Sequence, residues 1–194
     1  MTKKTLSIGL AMTLALLCVA CGPKKRSAED AARKAAVTAD TTLYVRVDRL
    51  ADDSAAVTAL ENSRRFTFAI RQAQQSGKLL GDAREGDTLA VMPDFKQRTI
   101  LQGVNINRLT GLWMLVNGKG SGMRLAKDGG AFTIGEQGVT LRNWRVLNGK
   151  LLLSYIKSDG SDYKERTDTS HIERVTDGEL VMTLAGKQQV YRRP

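Results

Sequence analysis

Apolar and polar residues alternate along two stretches in the first half of the chain. Residues 43–47 read Leu-Tyr-Val-Arg-Val, and residues 66–70 read Phe-Thr-Phe-Ala-Ile. A period of two is typical of strands that bury one face. The polar stretch 71–76 predicts one helical turn, and a third strand is predicted over 88–92, closed by Pro93. Together these elements predict β structure in the first half of the chain.

The second half of the chain is divided by turn dipeptides. Asn-Gly or Asp-Gly begins at Asn117, Asp128, Asn148, Asp159 and Asp177. Both dipeptides favour the positive φ angles of tight hairpin turns. The apolar runs between and after them are Met123–Leu125, Ala131–Ile134, Val139–Leu141, Trp144–Val146, Leu151–Ile156 and Leu180–Leu184. This pattern predicts a meander of short antiparallel strands, and closing the meander into a barrel would remove its exposed edges.

The first twenty residues have the organisation of a bacterial signal peptide. Lys3 and Lys4 form a basic start, and residues 5–20 are uncharged and rich in Leu, Ala, Ile and Met. A stable membrane-spanning helix needs about 20 apolar residues, and this stretch is shorter. We therefore expect residues 1–20 to be a cleaved signal peptide.

Residues 18–21, Cys-Val-Ala-Cys, resemble the lipobox of bacterial lipoproteins. Cys18 departs from that motif, because Leu is usual at its position. The resemblance implies lipidation of Cys21, with residues 21–39 as a lipid-anchored tether. Gly22 after the cysteine, where Asp would signal retention, implies an outer-membrane location, and we expect the protein to face the periplasm. The alternative is an ordinary secreted protein with a coincidental cysteine.

Charge and cysteine content narrow the set of partners. The chain has 30 Lys and Arg against 20 Asp and Glu, a net charge of +10. Such a surface attracts anions. For an exported protein, the available anionic partners would be lipid headgroups, lipopolysaccharide phosphates and acidic polymers, and not nucleic acid. The excess charge could equally serve solubility alone. Cys18 and Cys21 are the only cysteines, so a mature body without disulfides must be stabilised by its buried core.

Motifs for catalysis and metal binding are missing from the sequence. His171 is the only histidine, which excludes a site with two histidines. Ser170 and His171 are adjacent, and adjacent residues of a strand point to opposite faces. The glycine-rich segment 118–122 lacks the order of a phosphate loop, so we interpret it as a flexible loop. We expect no catalytic residue, no metal site and no cofactor.

Several motifs of the second half occur together in one known family. They are Leu109-Thr110-Gly111-Leu112-Trp113, Asp128-Gly129, Trp144, Leu151-Leu152-Leu153, Ile172, Leu180-Val181 and Tyr191-Arg192. With these motifs, residues 106–194 resemble the lipocalin-like domain of small Gram-negative envelope lipoproteins. The resemblance implies an all-β protein, in which the lipocalin-like barrel follows a small separate β domain over residues 40–102. It brings no settled biochemical role.

A lipocalin-like barrel directs attention to the residues that could surround a ligand. We expect Trp113, Met123, Phe132 and Trp144 to line any cavity, whereas core packing of the two tryptophans, with Trp113 closing the barrel base, is the alternative. The leading hypothesis is a non-enzymatic envelope lipoprotein, anchored to the membrane through Cys21, that binds a small apolar or amphiphilic ligand or an envelope protein partner. The second hypothesis is a structural or stress-sensing adaptor with a filled barrel. An empty apolar volume inside the barrel would favour the first.

Overall fold

The computed structural model describes residues 39–135, 138–159, 162–184 and 186–194. The predicted signal peptide, Cys21 and nearly all of the predicted tether lie outside the described residues. Residues 40–194 form one compact unit. This unit consists of two β-sheets and two short helices, so the prediction of an all-β fold is confirmed.

The first sheet uses the residues up to Asn105. Its strands occur in the order β3-β2-β1-β5-β6-β4, and β3 also pairs with β6 in parallel at Ala69 and Thr99. Five strands therefore form a small ring around a buried apolar cluster that includes Val45, Phe68 and Leu89. The elements are β1 (Leu43–Leu50), β2 (Ser54–Ala59), β3 (Arg65–Ala69), α1 (Arg71–Gln75), β4 (Leu79–Leu80), β5 (Thr88–Asp94) and β6 (Thr99–Asn105).

Pro93 does not end its strand as the sequence predicts. Strand β5 continues through Pro93 to Asp94, and its register with β6 shifts between Met92 and Pro93. A proline cannot donate to the ladder and is tolerated in strands at such irregularities. The strand therefore accommodates the proline at a bulge.

The second sheet is an up-and-down meander that returns to its own first strand. Each strand pairs antiparallel with the next from β7 to β9 and from β10 to β14, and β14 pairs with β7 through Tyr191 and Leu115. The elements are α2 (Ile106–Leu109), β7 (Gly111–Leu115), β8 (Gly122–Leu125), β9 (Ala131–Ile134), β10 (Thr140–Leu147), β11 (Lys150–Asp159), β12 (Asp162–Val175), β13 (Glu179–Leu184) and β14 (Lys187–Arg192).

Among the described residues, the ring closes between β9 and β10 through backbone contacts at Gly129 and Gly130 and through one side chain, and the Trp144 amide donates to the Gly129 carbonyl at 2.8 Å. Gly130 and Asn143 form an isolated bridge. The Thr133 hydroxyl donates to the Val139 carbonyl at 3.0 Å and accepts from the Leu141 amide at 2.9 Å. A side chain thus takes the place of a backbone ladder at this seam, and the eight strands complete a barrel.

The Asn-Gly and Asp-Gly dipeptides adopt the predicted positive φ angles only in part: Gly129 has a φ of 87°, whereas neither residue of Asn117-Gly118 or of Asp177-Gly178 has a positive φ. Asn148 and Gly149 have φ of 48° and 72°, which is the pattern of a two-residue type I′ turn between β10 and β11. Strand β12, with 14 residues, has no counterpart among the predicted apolar runs, because its outer face is polar and its inner face mixes polar residues with Ile172 and Val175.

The first sheet covers one end of the barrel, which we call the base. The Tyr44 hydroxyl donates to the Val146 carbonyl and accepts from the Val146 amide, both at 2.9 Å. The Thr41 amide donates to the Asn148 side chain at 3.0 Å, and the Asn148 amide donates to Thr42 at 2.7 Å. Ala90 and Val104 of the first sheet, with α2, belong to the same buried cluster as the barrel interior. The base of the barrel is therefore closed by the rest of the molecule.

Within the described ranges, no helix is both long enough and apolar enough to cross a membrane.

Candidate functional site

The base of the barrel is filled by Trp113. Its side chain is fully buried, and the indole N–H donates to the Leu109 carbonyl at 2.8 Å. The Arg193 guanidinium lies 4.4 Å from the centre of the indole and donates to the carbonyls of Arg108 and Thr110 at 2.7 and 2.8 Å. Burial and the neighbouring Arg108 lower the pKa of Arg193. Trp113 thus closes the base, as in the core-packing alternative.

Gly111 makes this arrangement possible. Its φ of +134° is unfavourable for other residues, and a Cβ there would collide with the Arg193 guanidinium. The glycine two positions before Trp113 therefore lets the arginine approach the backbone and cover the indole.

The opposite end of the barrel, the mouth, contains an open cavity of about 250 Å³. The strands reach this end at the close of β7, β11 and β13 and at the start of β8, β10 and β14. Most of the cavity wall is apolar, and four residues contribute polar groups: Tyr155, Asp168, Gln189 and Tyr191. The apolar wall consists of Leu115, Met123, Val139, Leu141, Leu153, Met182 and Leu184.

The polar groups of the cavity form two pairs. Tyr155 and Asp168 form the first pair, and desolvation followed by the neighbouring Asp168 carboxylate raises the pKa of Tyr155. The Tyr191 hydroxyl donates to the Gln189 side chain at 2.5 Å. Burial raises the pKa of Tyr191 to about 12. Both tyrosines are therefore neutral at physiological pH, and Asp168 is the charged group that the described residues contribute to the wall.

Ser170 lies on the inward face of β12, one pleat from Asp168 toward the base. It is completely buried, and its hydroxyl has no hydrogen-bond partner among the described residues. His171 points outward and is exposed, as expected for adjacent residues of a strand. The buried hydroxyl leaves a polar group on the inner face that a ligand or a water molecule can satisfy.

The structure does not bring the four predicted cavity residues together. Met123 lines the cavity, and its cross-strand neighbour Trp113 fills the base. Phe132 does not line the cavity, because the alternation of β9 places it on the outer face, where it is 45% exposed and lies 4.5 Å from the Arg124 guanidinium. Trp144 lies near the base, and its indole N–H donates to the Ala126 carbonyl at 2.8 Å.

Trp144 takes part in a different depression, a groove of about 490 Å³ between the two sheets. Tyr44 and Ile106 contribute to its wall from the first sheet and α2, and Lys127 and Arg145 add positive charge. The Tyr44 hydroxyl and the Trp144 indole N–H are already hydrogen bonded within the protein. The Tyr44 hydrogen bond connects the two sheets and the Trp144 hydrogen bond lies within the barrel, and the groove is separate from the barrel mouth.

The sequence did not single out Tyr155, Asp168, Gln189 or Tyr191 as cavity residues, nor Ser170 one pleat deeper. A register argument finds part of this set, since Leu153 of an apolar run pairs with Asp168 and Leu151 pairs with Ser170. The register can be assigned only when the length of the β11–β12 hairpin is known. The turn dipeptide at Asp159 alone does not fix that length. In the part of the chain that the structure describes, no three His, Cys, Asp or Glu side chains come together as a metal-binding group.

Comparisons with known proteins concern the barrel. Residues 105–194 match the family model described as lipocalin-like, so the barrel is a lipocalin-like domain, as the sequence resemblance implied. Among solved structures, the chain is similar to a lipocalin-like protein from Bacteroides thetaiotaomicron, with 21% identity, 44% of this chain and 97% of that chain covered, and a TM-score of 0.39. No curated protein sequence matches the chain.

Proposed function

We propose that this protein is a non-enzymatic envelope lipoprotein whose lipocalin-like domain binds a small apolar or amphiphilic ligand in the barrel mouth. The observation that supports the proposal is the open cavity of about 250 Å³ above the filled base. Ligand sites are typically concave and mostly apolar, with a few polar groups that orient the ligand. The cavity wall has this composition.

The size of the cavity limits the ligand. At about 30 Å³ for each water-sized group in a liquid, a cavity of 250 Å³ accommodates a part with about eight to ten non-hydrogen atoms. A longer ligand would extend from the mouth into solvent. We therefore propose a short apolar chain or a single ring as the bound part.

The second part of the proposal is attachment to the membrane. Cys21 would carry the lipid, since two or more acyl chains give stable anchoring whereas one holds only marginally. Lys24, Lys25 and Arg26 would lie near anionic headgroups and add electrostatic attraction. The proposed location is the periplasmic face of the outer membrane.

The ligand proposal is tested by isothermal titration of the full chain with 1-octanol, a neutral ligand of nine non-hydrogen atoms. We expect a Kd below about 1 mM, a modest requirement for a ligand of this size. Leu141→Trp places a large side chain in the cavity wall and should weaken binding at least about tenfold. Leu101→Trp is the matched control, because Leu101 is exposed on the first sheet, and it should leave binding unchanged.

Native mass spectrometry of the protein as purified adds an independent readout, since a retained ligand appears as a mass difference. If 1-octanol does not bind and no ligand is retained, the adaptor hypothesis replaces this one. Equal binding by the Leu141→Trp protein and the wild type would move the site away from the barrel mouth.

A further inference from the structure

We propose that the barrel mouth selects ligands with a primary ammonium head, recognised by Asp168 and Ser170 on the inner face of β12. This inference rests on the proposed function, because it specifies the head group of the ligand that the cavity would bind. It follows from the direction of the two side chains, the charge in the cavity wall and the unused hydrogen-bonding capacity of the site.

The register of β11 and β12 fixes the direction of both side chains. Asp168 pairs with Leu153, and Ser170 pairs with Leu151. Both leucines belong to the buried barrel interior, and directly paired residues project from the same face of a sheet. Asp168 and Ser170 therefore both face inward, separated by about 7 Å along the strand.

The charge in the cavity wall is negative. Among the described residues that line the cavity, Asp168 is the only charged one. Arg166 pairs with Tyr155 one pleat further out, and its side chain is exposed, so water screens its charge. A carboxylate in a mostly apolar wall favours a cationic partner and disfavours an anionic one.

The hydrogen-bonding capacity of the site matches an ammonium group. A carboxylate offers about four acceptor positions, so Asp168 can accept from an ammonium even with the Tyr155 hydroxyl beside it. The Ser170 oxygen has no hydrogen-bond partner among the described residues. An ammonium has three N–H donors and no acceptor, so a head group bound at Asp168 would retain donors for the Ser170 hydroxyl, which lies one pleat deeper than the cavity wall. Its alkyl chain would contact the apolar wall.

The experiment compares three ligands with the same eight-carbon chain and different heads: octylammonium, 1-octanol and octanoate. They are titrated at pH 7 into the full chain carrying Cys21→Ser, which removes the proposed acylation site. We expect octylammonium to bind at least about tenfold more tightly than 1-octanol, as is typical of a charged hydrogen bond. Octanoate should bind more weakly than 1-octanol.

Two substitutions on β12 identify the recognising group. Asp168→Asn should abolish the preference for octylammonium and leave the affinity for 1-octanol within about threefold. Glu165→Gln is the matched control, since Glu165 is an exposed carboxylate of the same strand that pairs with outward-facing Ile156. It should preserve the preference.

Ser170→Ala provides a separate readout. The free protein should become more stable to urea, because the substitution removes a buried hydroxyl without a partner. Octylammonium affinity should fall several-fold. A stability gain with unchanged octylammonium affinity would exclude Ser170 from the head-group site.

The outcomes separate this inference from the proposed function. If all three ligands bind equally well and Asp168→Asn has no effect, the cavity binds apolar chains without head-group selection, and only this inference is overturned. Tighter binding of octanoate than of octylammonium would also overturn it. If none of the three ligands binds, the proposed function fails as well.

Discussion

Three tyrosines place their hydroxyl groups against the barrel interior or its base. Desolvation is the largest cause of a raised pKa at Tyr44, Tyr155 and Tyr191, and at Tyr191 the pKa reaches about 12. An unfolded chain ionises its tyrosines near pH 10. Above that pH, the unfolded state has released the hydroxyl protons of these tyrosines, whereas the folded state still retains them.

This difference predicts how stability depends on alkaline pH. The contribution of Tyr191 is fully present below about pH 10 and is lost as the pH rises to about 12, its folded pKa. A shift of about two pKa units corresponds to about 2–3 kcal/mol of unfolding free energy over this range. Urea unfolding at several pH values should show a smaller decline from pH 10 to 12 in Tyr191→Phe than in the wild type. Identical declines would show that Tyr191 ionises normally in the folded protein.

At the scale of the strands, β9 and β10 are the neighbouring strands of the barrel with the fewest paired residues among those that the structure describes. The Thr133 hydroxyl joins Val139 and Leu141 there, whereas the other neighbouring strands of the barrel share at least two paired positions. A buried or half-buried hydrogen bond contributes about 0.5–1.5 kcal/mol, and an unpaired partner costs more.

Thr133→Val should therefore lower the unfolding free energy by about 1–3 kcal/mol, because it keeps the shape of the side chain and removes both hydrogen bonds. It should also speed hydrogen exchange at the Leu141 amide. Urea unfolding and exchange detected by mass spectrometry would measure the two effects. Thr169→Val is the control, since Thr169 is exposed on β12. A Thr133→Val protein with normal exchange at Leu141 would mean that the seam does not depend on this hydroxyl.

Sequence patterns predicted the strands that have one apolar face and failed where that face is mixed. Residues 43–47 and 66–70 alternate clearly, and both fall in strands or at a strand end. Strand β12 places Asp168, Ser170 and Ile172 on its inner face, so no alternation of apolar residues marks it. The same mixture makes β12 the polar wall of the cavity. The polar residues on the inner face of β12 make this strand part of the candidate site. The same residues remove the apolar alternation by which the sequence would have predicted it.

The predicted ligand residues illustrate a related limit. Large aromatic residues are natural candidates for a ligand site, yet Trp113 is needed to close the base and Phe132 lies on the outer face. Composition cannot distinguish a side chain that surrounds a cavity from one that fills it. Long-range contacts determine which of the two roles Trp113 has. These are the pairing of β14 with β7 and the approach of Arg193 to Trp113, and both join residues about 80 positions apart.

At the scale of the whole molecule, the two sheets share buried surface. Their contact uses the Tyr44 hydroxyl at Val146, an ion pair between Arg108 and Asp177, and the apolar side chains of α2 and Val104. The change from one sheet to the other occurs at residues 105–111. The family resemblance placed this change between residues 102 and 106, whereas no sequence pattern indicated the extent of the contact.

Membrane attachment gives the prediction that belongs to this scale. Cys21→Ser should abolish acylation and move the protein from the membrane fraction to the soluble fraction, because the proposed anchor depends on the acyl chains. Metabolic labelling with a fatty-acid analogue and fractionation would measure both effects. Cys18→Ser is the matched control and should remain lipidated. Persistence of a lipidated species in Cys21→Ser would disprove the proposed modification site.

The closed base of the barrel limits how any molecule could move through this protein. With Trp113 and Arg193 at one end and the first sheet packed beneath them, the cavity has its opening at the mouth alone among the residues that the structure describes. Entry and exit must then use the same route in opposite directions. If it binds a ligand as proposed, such a barrel would hold or sequester that ligand and would not conduct it from one side to the other.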